Sequence, residues 1–235
     1  MKIPLSKRLL ICSDFVHPGD RVADIGCDHG YLGIYLLCKG IASSVIASDI
    51  NEGPLNSAIR NSEKFGVRDR MTFYLSNGTA NIPRDFDTLV CAGMGGDTMI
   101  SILSQAPWLK NAQYRLILQC QSKTPMLRQY LSENGWRIAA ENVLKDGRFL
   151  YTVMEVLWQP GHPLTPGECH FPPAILINPS AEVPAYYRWV ISVLETAVHN
   201  QKEQADPFKV QALQELQNLP SELNWLKENE DDHRR

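Results

Sequence analysis

The 235-residue sequence predicts an α/β fold: a mostly parallel sheet with helices on both faces, ended by an antiparallel hairpin and followed by a pair of C-terminal helices. Three observations predict it. Short apolar runs alternate with stretches of helical periodicity, the first run opens into a loop of glycines and aspartates, and two β-branched, aromatic runs flank Asp146-Gly147.

The strand-like runs are Arg21 to Gly26, Ser43 to Asp49, Met71 to Ser76, Asp87 to Gly93 and Tyr114 to Cys120. Between them YLGIYLLCKG, GPLNSAIRNSEKFG, DTMISILSQAP and KTPMLRQYLSENG carry apolar residues at helical spacing, with Gly40, Gly66 and Gly135 as C-terminal stops. WRIAAENVLKDGRF and FLYTVMEVLWQ then form a hairpin turning at Asp146-Gly147. A parallel sheet closed by such a hairpin is the methyltransferase version of this architecture and not the dehydrogenase version. Beyond Trp158, QPGHPLTPGECHFPPAILINPS is too rich in Pro and Gly for regular structure and reads as a linker. Two amphipathic segments follow, Tyr186 to Gln204 and Lys209 to Glu228, separated by Asp206-Pro207 and interrupted near Pro220. They predict a helical hairpin resembling a short antiparallel coiled coil, with NEDDHRR as a frayed end. The division is therefore 1–159 for the sheet domain, 160–183 for the linker and 184–235 for the hairpin.

Composition narrows the function classes. No apolar run approaches the length of a membrane span, and MKIPLSKRLLICSDF lacks the pattern of a secretory signal, which places the protein in the cytoplasm. The six cysteines form no CxxC pair and have no His at ligand spacing, so neither a metal site nor a disulfide framework is expected. Up to Gln159 there are 17 Lys and Arg against 15 Asp and Glu, and beyond it 6 against 11. This balance carries no strong nucleic-acid signature.

The strand ends carry the chemistry. Asp24-Ile25-Gly26-Cys27-Asp28-His29-Gly30 has the spacing D-x-G-x-D-x-G, unlike the G-x-G-x-x-G of pyrophosphate binders. Asp24 and Asp28 would repel a pyrophosphate and attract the ammonium and sulfonium of S-adenosylmethionine. Asp49 ends the second run, where a carboxylate can accept both ribose hydroxyls, and Asn77-Gly78 follows the third, where a polar group can meet the adenine edge. The fourth ends in Ala92-Gly93-Met94-Gly95-Gly96, whose glycines suggest close backbone approach to a ligand. The Asn/Asp-Pro-Pro-aromatic motif of amino-directed DNA methyltransferases is absent there.

Together, LSKRL (Leu5 to Leu9), ADIGCDHGYLGIYL (Ala23 to Leu36), Asn51-Glu52-Gly53-Pro54-Leu55, AGMGG (Ala92 to Gly96) and LILQ (Leu116 to Gln119) resemble the bacterial tRNA (adenine-22-N1)-methyltransferases, the TrmK-like family. The resemblance covers about the first 160 residues and extends to the helical hairpin. It implies a Rossmann-like class I methyltransferase with a seven-stranded sheet, S-adenosylmethionine as cofactor and tRNA as partner. It also implies a cofactor pocket lined by Asp24, Gly26, Asp28, Asp49, Ile50, Asn77, Gly78 and Ala92, Gly93, Met94, Gly95 and Gly96. LSKRL and His29-Gly30-Tyr31 would then lie near the target base. The chain departs from the family in having Cys120-Gln121 after LILQ where Pro-Asn is usual, glycine at 30 and 33 where Ala and Pro are common, and Asn77 where Asp is common.

Adenine N1 attacks a sulfonium methyl through its own lone pair, so the chemistry needs alignment and charge stabilisation and no general base. Asp28 is the candidate charge stabiliser, His29 and Tyr31 are candidates to hold an extruded adenine, and Lys7 and Arg8 are candidates for phosphate contacts. The expected state is a monomer or weak dimer, with no membrane or metal involved. The residues leave open a methyltransferase of the same fold acting on another RNA site or a small molecule, and a cofactor-binding module without catalysis.

Overall fold

In the computed structural model, residues 2–159, 161–201 and 205–227 are described. NEDDHRR lies outside them. Seven strands form one sheet: β1 (Arg21–Ile25), β2 (Ser44–Asp49), β3 (Met71–Leu75), β4 (Thr88–Gly95), β5 (Arg115–Ser122), β6 (Trp136–Asp146) and β7 (Phe149–Trp158). Their order is β3-β2-β1-β4-β5-β7-β6. The first five are parallel; β7 runs antiparallel to both β5 and β6. Asp146 pairs with Phe149, so the hairpin turns through Gly147 and Arg148.

Alternate residues of each central strand feed different cores, as the two-residue period of a strand requires. Val22, Val45, Val90 and Ile117 pack beneath α1 (Lys7–Asp14), α2 (Tyr31–Cys38) and α3 (Glu52–Lys64). Ala23, Cys91, Leu116 and Leu118 pack beneath α4 (Gly96–Ser104) and α5 (Thr124–Glu133). The order reverses between β1 and β4, which opens a crevice at the carboxyl ends of the strands. Helix α1 was not expected from the sequence. Ser6 caps it by accepting from the Leu9 amide, and it lays Leu9 and Cys12 against the sheet.

One expectation is corrected. The run of four residues Thr165-Pro166-Gly167-Glu168 forms a capping box, so the segment expected to lack regular structure contains α6 (Pro166–His170) and a 3-10 helix, Pro173–Leu176. Asp206 and Pro207 mark the break between α7 (Val183–Gln201) and α8 (Pro207–Gln217), and the chain restarts after Pro220 as a 3-10 helix, Ser221–Lys227, as the sequence suggested. These helices cover β6 through a third core containing Val143, Phe171, Tyr187, Val190 and Leu216. Arg128 on α5 is fully buried at their junction: it bonds Glu141 through Nε and Nη2, the Cys169 and His170 carbonyls through Nη1, and the Tyr186 hydroxyl at 3.1 Å. A buried guanidinium needs this many acceptors, which is why one side chain joins α5, β6, α6 and α7.

Candidate functional site

The crevice holds a pocket of about 480 Å³. Four strand ends and the start of α1 build it. From β1 and the loop after it come Asp24, Gly26, Asp28, His29 and Tyr31; from β2, Asp49 and Ile50; beyond β3, Asn77 and Gly78; from β4, Ala92, Gly93 and Met94. The predicted residues thus converge, with three exceptions. Gly95 and Gly96 do not line it: a Cβ on Gly96 would lie 2.8 Å from the Lys123 carbonyl oxygen, and one on Gly95 3.1 Å from Ser122 Oγ. Those two glycines admit the neighbouring β5–α5 turn. Lys7 also lies outside the lining, exposed on α1.

The loop after β1 is shaped by backbone bonds. The Gly26 and Cys27 amides both donate to the Ser48 carbonyl, at 2.8 and 2.9 Å. Gly26 has φ +73°, a backbone conformation that favours glycine, and its bare Cα lets the Met94 methyl close over the loop. Asp28 has φ +51° without being glycine. Non-glycine residues persist in that region when their surroundings fix them, and here the Asp28 amide donates to Asp49 Oδ2 at 3.2 Å. The Asp28 side chain is exposed, with His29 Nε2 3.6 Å from Oδ1; the His29 and Tyr31 rings lie 5.9 Å apart.

The two carboxylates at the base of the pocket differ. Asp49 Oδ1 accepts from the Asn51 amide at 2.9 Å while Oδ2 accepts from Asp28, which leaves lone pairs for a ligand's hydroxyls. Asp24 is buried, and its Oδ2 has no hydrogen-bond partner among the described residues. Burial, aided by the charge of Asp49 and opposed by the Gly33 amide, raises its carboxyl to about 7. An orphaned buried carboxylate oxygen is costly unless something binds it, and a cation suits it best. Ile50 adds an apolar side chain left 60% exposed beside Asp49.

Of the rest of the lining, Ser6, Arg8 and Leu9 come from the LSKRL segment expected near the target base, whereas sequence reasoning missed Ser76, Thr98 and Ile102. Arg8 donates from Nη1 to Gln119 Oε1 at 3.1 Å, pairs through Nε with Asp146 at 3.7 Å and packs over the Tyr151 ring at 5.1 Å. The fully buried Gln119 also accepts from the Gly93 amide at 3.2 Å and fixes the β4 turn. The unusual Cys120-Gln121 has a structural reading. With no proline after Gln119, β5 continues pairing with β4 as far as Gly95 and Ser122. Burial pushes the Cys27 and Cys12 thiols up, which removes them as nucleophiles. Among the described residues no His, Cys, Asp and Glu cluster could hold a metal, and no helix is long and apolar enough to cross a membrane.

Residues 5–154 match the methyltransferase-domain family. The chain is 32% identical over 154 residues to the tRNA (adenine(22)-N(1))-methyltransferase of Bacillus subtilis, 65% of each protein, and 35% identical over 138 residues to a Mycoplasma genitalium relative, of whose length it spans 61%. Among solved structures, Streptococcus pneumoniae Sp1610 in complex with S-adenosyl-L-methionine superposes with TM-score 0.78 at 31% identity, covering 90% of this chain and 99% of that one. The Bacillus subtilis M1A22 tRNA methyltransferase TrmK does so with TM-score 0.76 at 27% identity, covering 96% and 98%. With the sheet order, the pocket at four strand ends and these similarities in agreement, the chain belongs to the methyltransferase-domain family, in its TrmK-like class I branch.

Proposed function

We propose that this protein methylates N1 of an adenine in tRNA, adenine 22, using S-adenosylmethionine. The observation that carries the reading is the buried, unpartnered Asp24 Oδ2 inside a pocket that Asp49, Ile50 and Asn77 also line. These residues fit the cofactor: a carboxylate for its ammonium, a second for its ribose hydroxyls, and an apolar side chain with a polar neighbour for its adenine. When bound, the cofactor supplies an electrophilic methyl group on a positively charged sulfur.

The chain's own residues do the rest by position. Asp24 and Asp49 hold the cofactor from beneath. The start of α1, through Ser6 and Leu9, closes the pocket from the opposite side and excludes water. Asp28, His29 and Tyr31 stand together at its mouth, where Asp28 can stabilise the positive charge that develops on the adenine and the two rings can flank the base. No residue is required to remove a proton from N1. The catalytic domain over 1–159, the connector over 160–183, the helical hairpin over 184–235, the cytoplasmic location and a monomeric or weakly dimeric state belong to the same reading.

The test is methyl transfer from labelled S-adenosylmethionine to unmodified tRNA, with the modified nucleotide mapped by primer extension. A stop at adenine 22 from 1-methyladenosine is the expected result. Labelled tRNA without 1-methyladenosine, or label only in a small molecule, refutes the assignment.

A further inference from the structure

Gln119, the last residue of LILQ on β5, is fully buried, and its Oε1 gathers donors from three segments. Arg8 Nη1 reaches it at 3.1 Å, the Gly93 amide at 3.2 Å and Gln121 Nε2 at 3.1 Å. Its own Nε2 donates to the Cys120 carbonyl at 3.1 Å. A guanidinium and a backbone N–H can only donate, so the oxygen of this amide, and not its nitrogen, must face them. Two of the three donors belong to the cofactor pocket: Arg8 and Gly93 both line it, together with Asp28, His29 and Tyr31.

Arg8 is thereby held on three sides. Nη1 is tied to Gln119, Nε lies 3.7 Å from Asp146 Oδ2 at the end of β6, and the guanidinium lies over the Tyr151 ring of β7 at 5.1 Å. An arginine fixed in advance loses less rotamer freedom when it grips a ligand than one free in solvent. At 3.7 Å the Asp146 contact is longer than a hydrogen bond, and both side chains keep water contact, Arg8 being 28% exposed and Asp146 35%. Such a pair neutralises little of the guanidinium's charge. Among the described residues no acceptor meets Nη2. The unengaged edge of a guanidinium, lining a pocket for nucleotides, suits a phosphate oxygen. Adenine N1 is not its partner, because a donor there would occupy the lone pair that attacks the methyl group.

We propose that Gln119 is a positioning residue for the RNA substrate: by tying Arg8 to the β4 turn, it presents the Nη2 edge of Arg8 to a phosphate of the nucleotide that enters the pocket. This rests on the tRNA reading above. Gln119 is buried and reaches the RNA only through Arg8. The same oxygen fixes the Gly93 wall of the cofactor site, so the phosphate anchor and the cofactor wall share one support.

The experiment uses the full chain, unmodified tRNA and saturating S-adenosylhomocysteine, with the variants Arg8→Met, Gln119→Met and the two combined. Melting curves verify the fold, and calorimetry sets the cofactor concentration for each variant. Arg8→Met should raise the Kd for tRNA about tenfold or more and lower the slope of log Kd against log salt concentration by about one, the signature of a lost phosphate contact. Gln119→Met keeps the side chain's length and alters no charge, yet it should lower the slope by a similar amount, because Arg8 is no longer aimed. The combined variant should match Arg8→Met within about twofold. A Gln119 that only supports the fold would weaken binding with the slope unchanged. A wild-type slope in either single variant, with methyl transfer to adenine N1 of tRNA present in the wild type, overturns the inference alone. Absence of that transfer in the wild type overturns the functional reading and this inference with it. Should Gln119→Met fail to fold, Gln119→Asn, which keeps the amide and withdraws its oxygen from Arg8, is read against the same two slopes.

Discussion

Replacing Asp24 with asparagine separates the two consequences of burying a carboxyl beneath a cation site. Its carboxyl stands at about 7 in the folded protein against an ordinary 3.8. Between those values the folded protein retains a proton that the unfolded chain has lost, so stability falls as pH rises through the window, and the loss persists above it. Over the whole interval this amounts to roughly 4 kcal/mol, of which about 2 to 3 kcal/mol falls between pH 5 and pH 8. Asp24→Asn removes the titration. The difference in unfolding free energy, variant minus wild type, should therefore increase by about 2 to 3 kcal/mol from pH 5 to pH 8, read from urea unfolding without cofactor. Binding should move the other way. At pH 8 the variant should bind S-adenosylmethionine at least about tenfold more weakly, a loss of roughly 1.4 kcal/mol. S-adenosylhomocysteine, which keeps the ammonium and lacks the sulfonium, should lose as much. In the wild type, cofactor affinity should decline as pH drops below about 7, because a cation favours the ionised carboxyl. Parallel stability profiles for the two proteins, or unchanged affinity in the variant, would refute the assignment of Asp24 as the buried counter-ion.

Three further outcomes are expected. Asp28→Ala should lower turnover more than cofactor affinity, since only the Asp28 backbone amide holds Asp49; equal losses in kcat and in calorimetric affinity contradict its role toward the base. Gly30→Ala should destabilise the protein by about 1 to 3 kcal/mol in urea unfolding, because φ is +70° and the added Cβ would lie 2.9 Å from Ala58 Cβ; a stability change within 0.5 kcal/mol, roughly the scatter for surface substitutions, counts against that packing. Glu141→Gln should cost about 3 to 5 kcal/mol by leaving Arg128 buried without its counter-charge, and a variant that melts like the wild type shows the guanidinium has found another partner.

Much of the site was legible because its chemistry sits at strand ends. A run such as Arg21 to Ile25 has a fixed direction, so the residue types at its end identify what meets a ligand. Asp24, Asp49 and Asn77 are 25 and 28 positions apart in sequence and line one pocket. Arg8 was less readable. Its charge suggested phosphate, and nothing local in the sequence showed that α1 also lays it on Gln119 and Tyr151, 111 and 143 positions away. The two glycines at 95 and 96 were similarly ambiguous, since a sequence does not say whether backbone or ligand makes the close approach.

The sequence by itself determined the alternation of strands and helices, the presence of a hairpin at Gly147 and Arg148, one residue from the expected Asp146-Gly147 turn, and the acidic character of the cofactor loop. These depend on periodicity, turn chemistry and charge, which are local. Tertiary structure alone decided that Asp24 is buried and unpartnered among the described residues while Asp28 is exposed, and that Arg8 packs onto Gln119 and Tyr151 beside the pocket. Burial and pairing are relations between distant segments, and identical aspartates in one loop acquire different chemistry only when the rest of the chain closes over one of them.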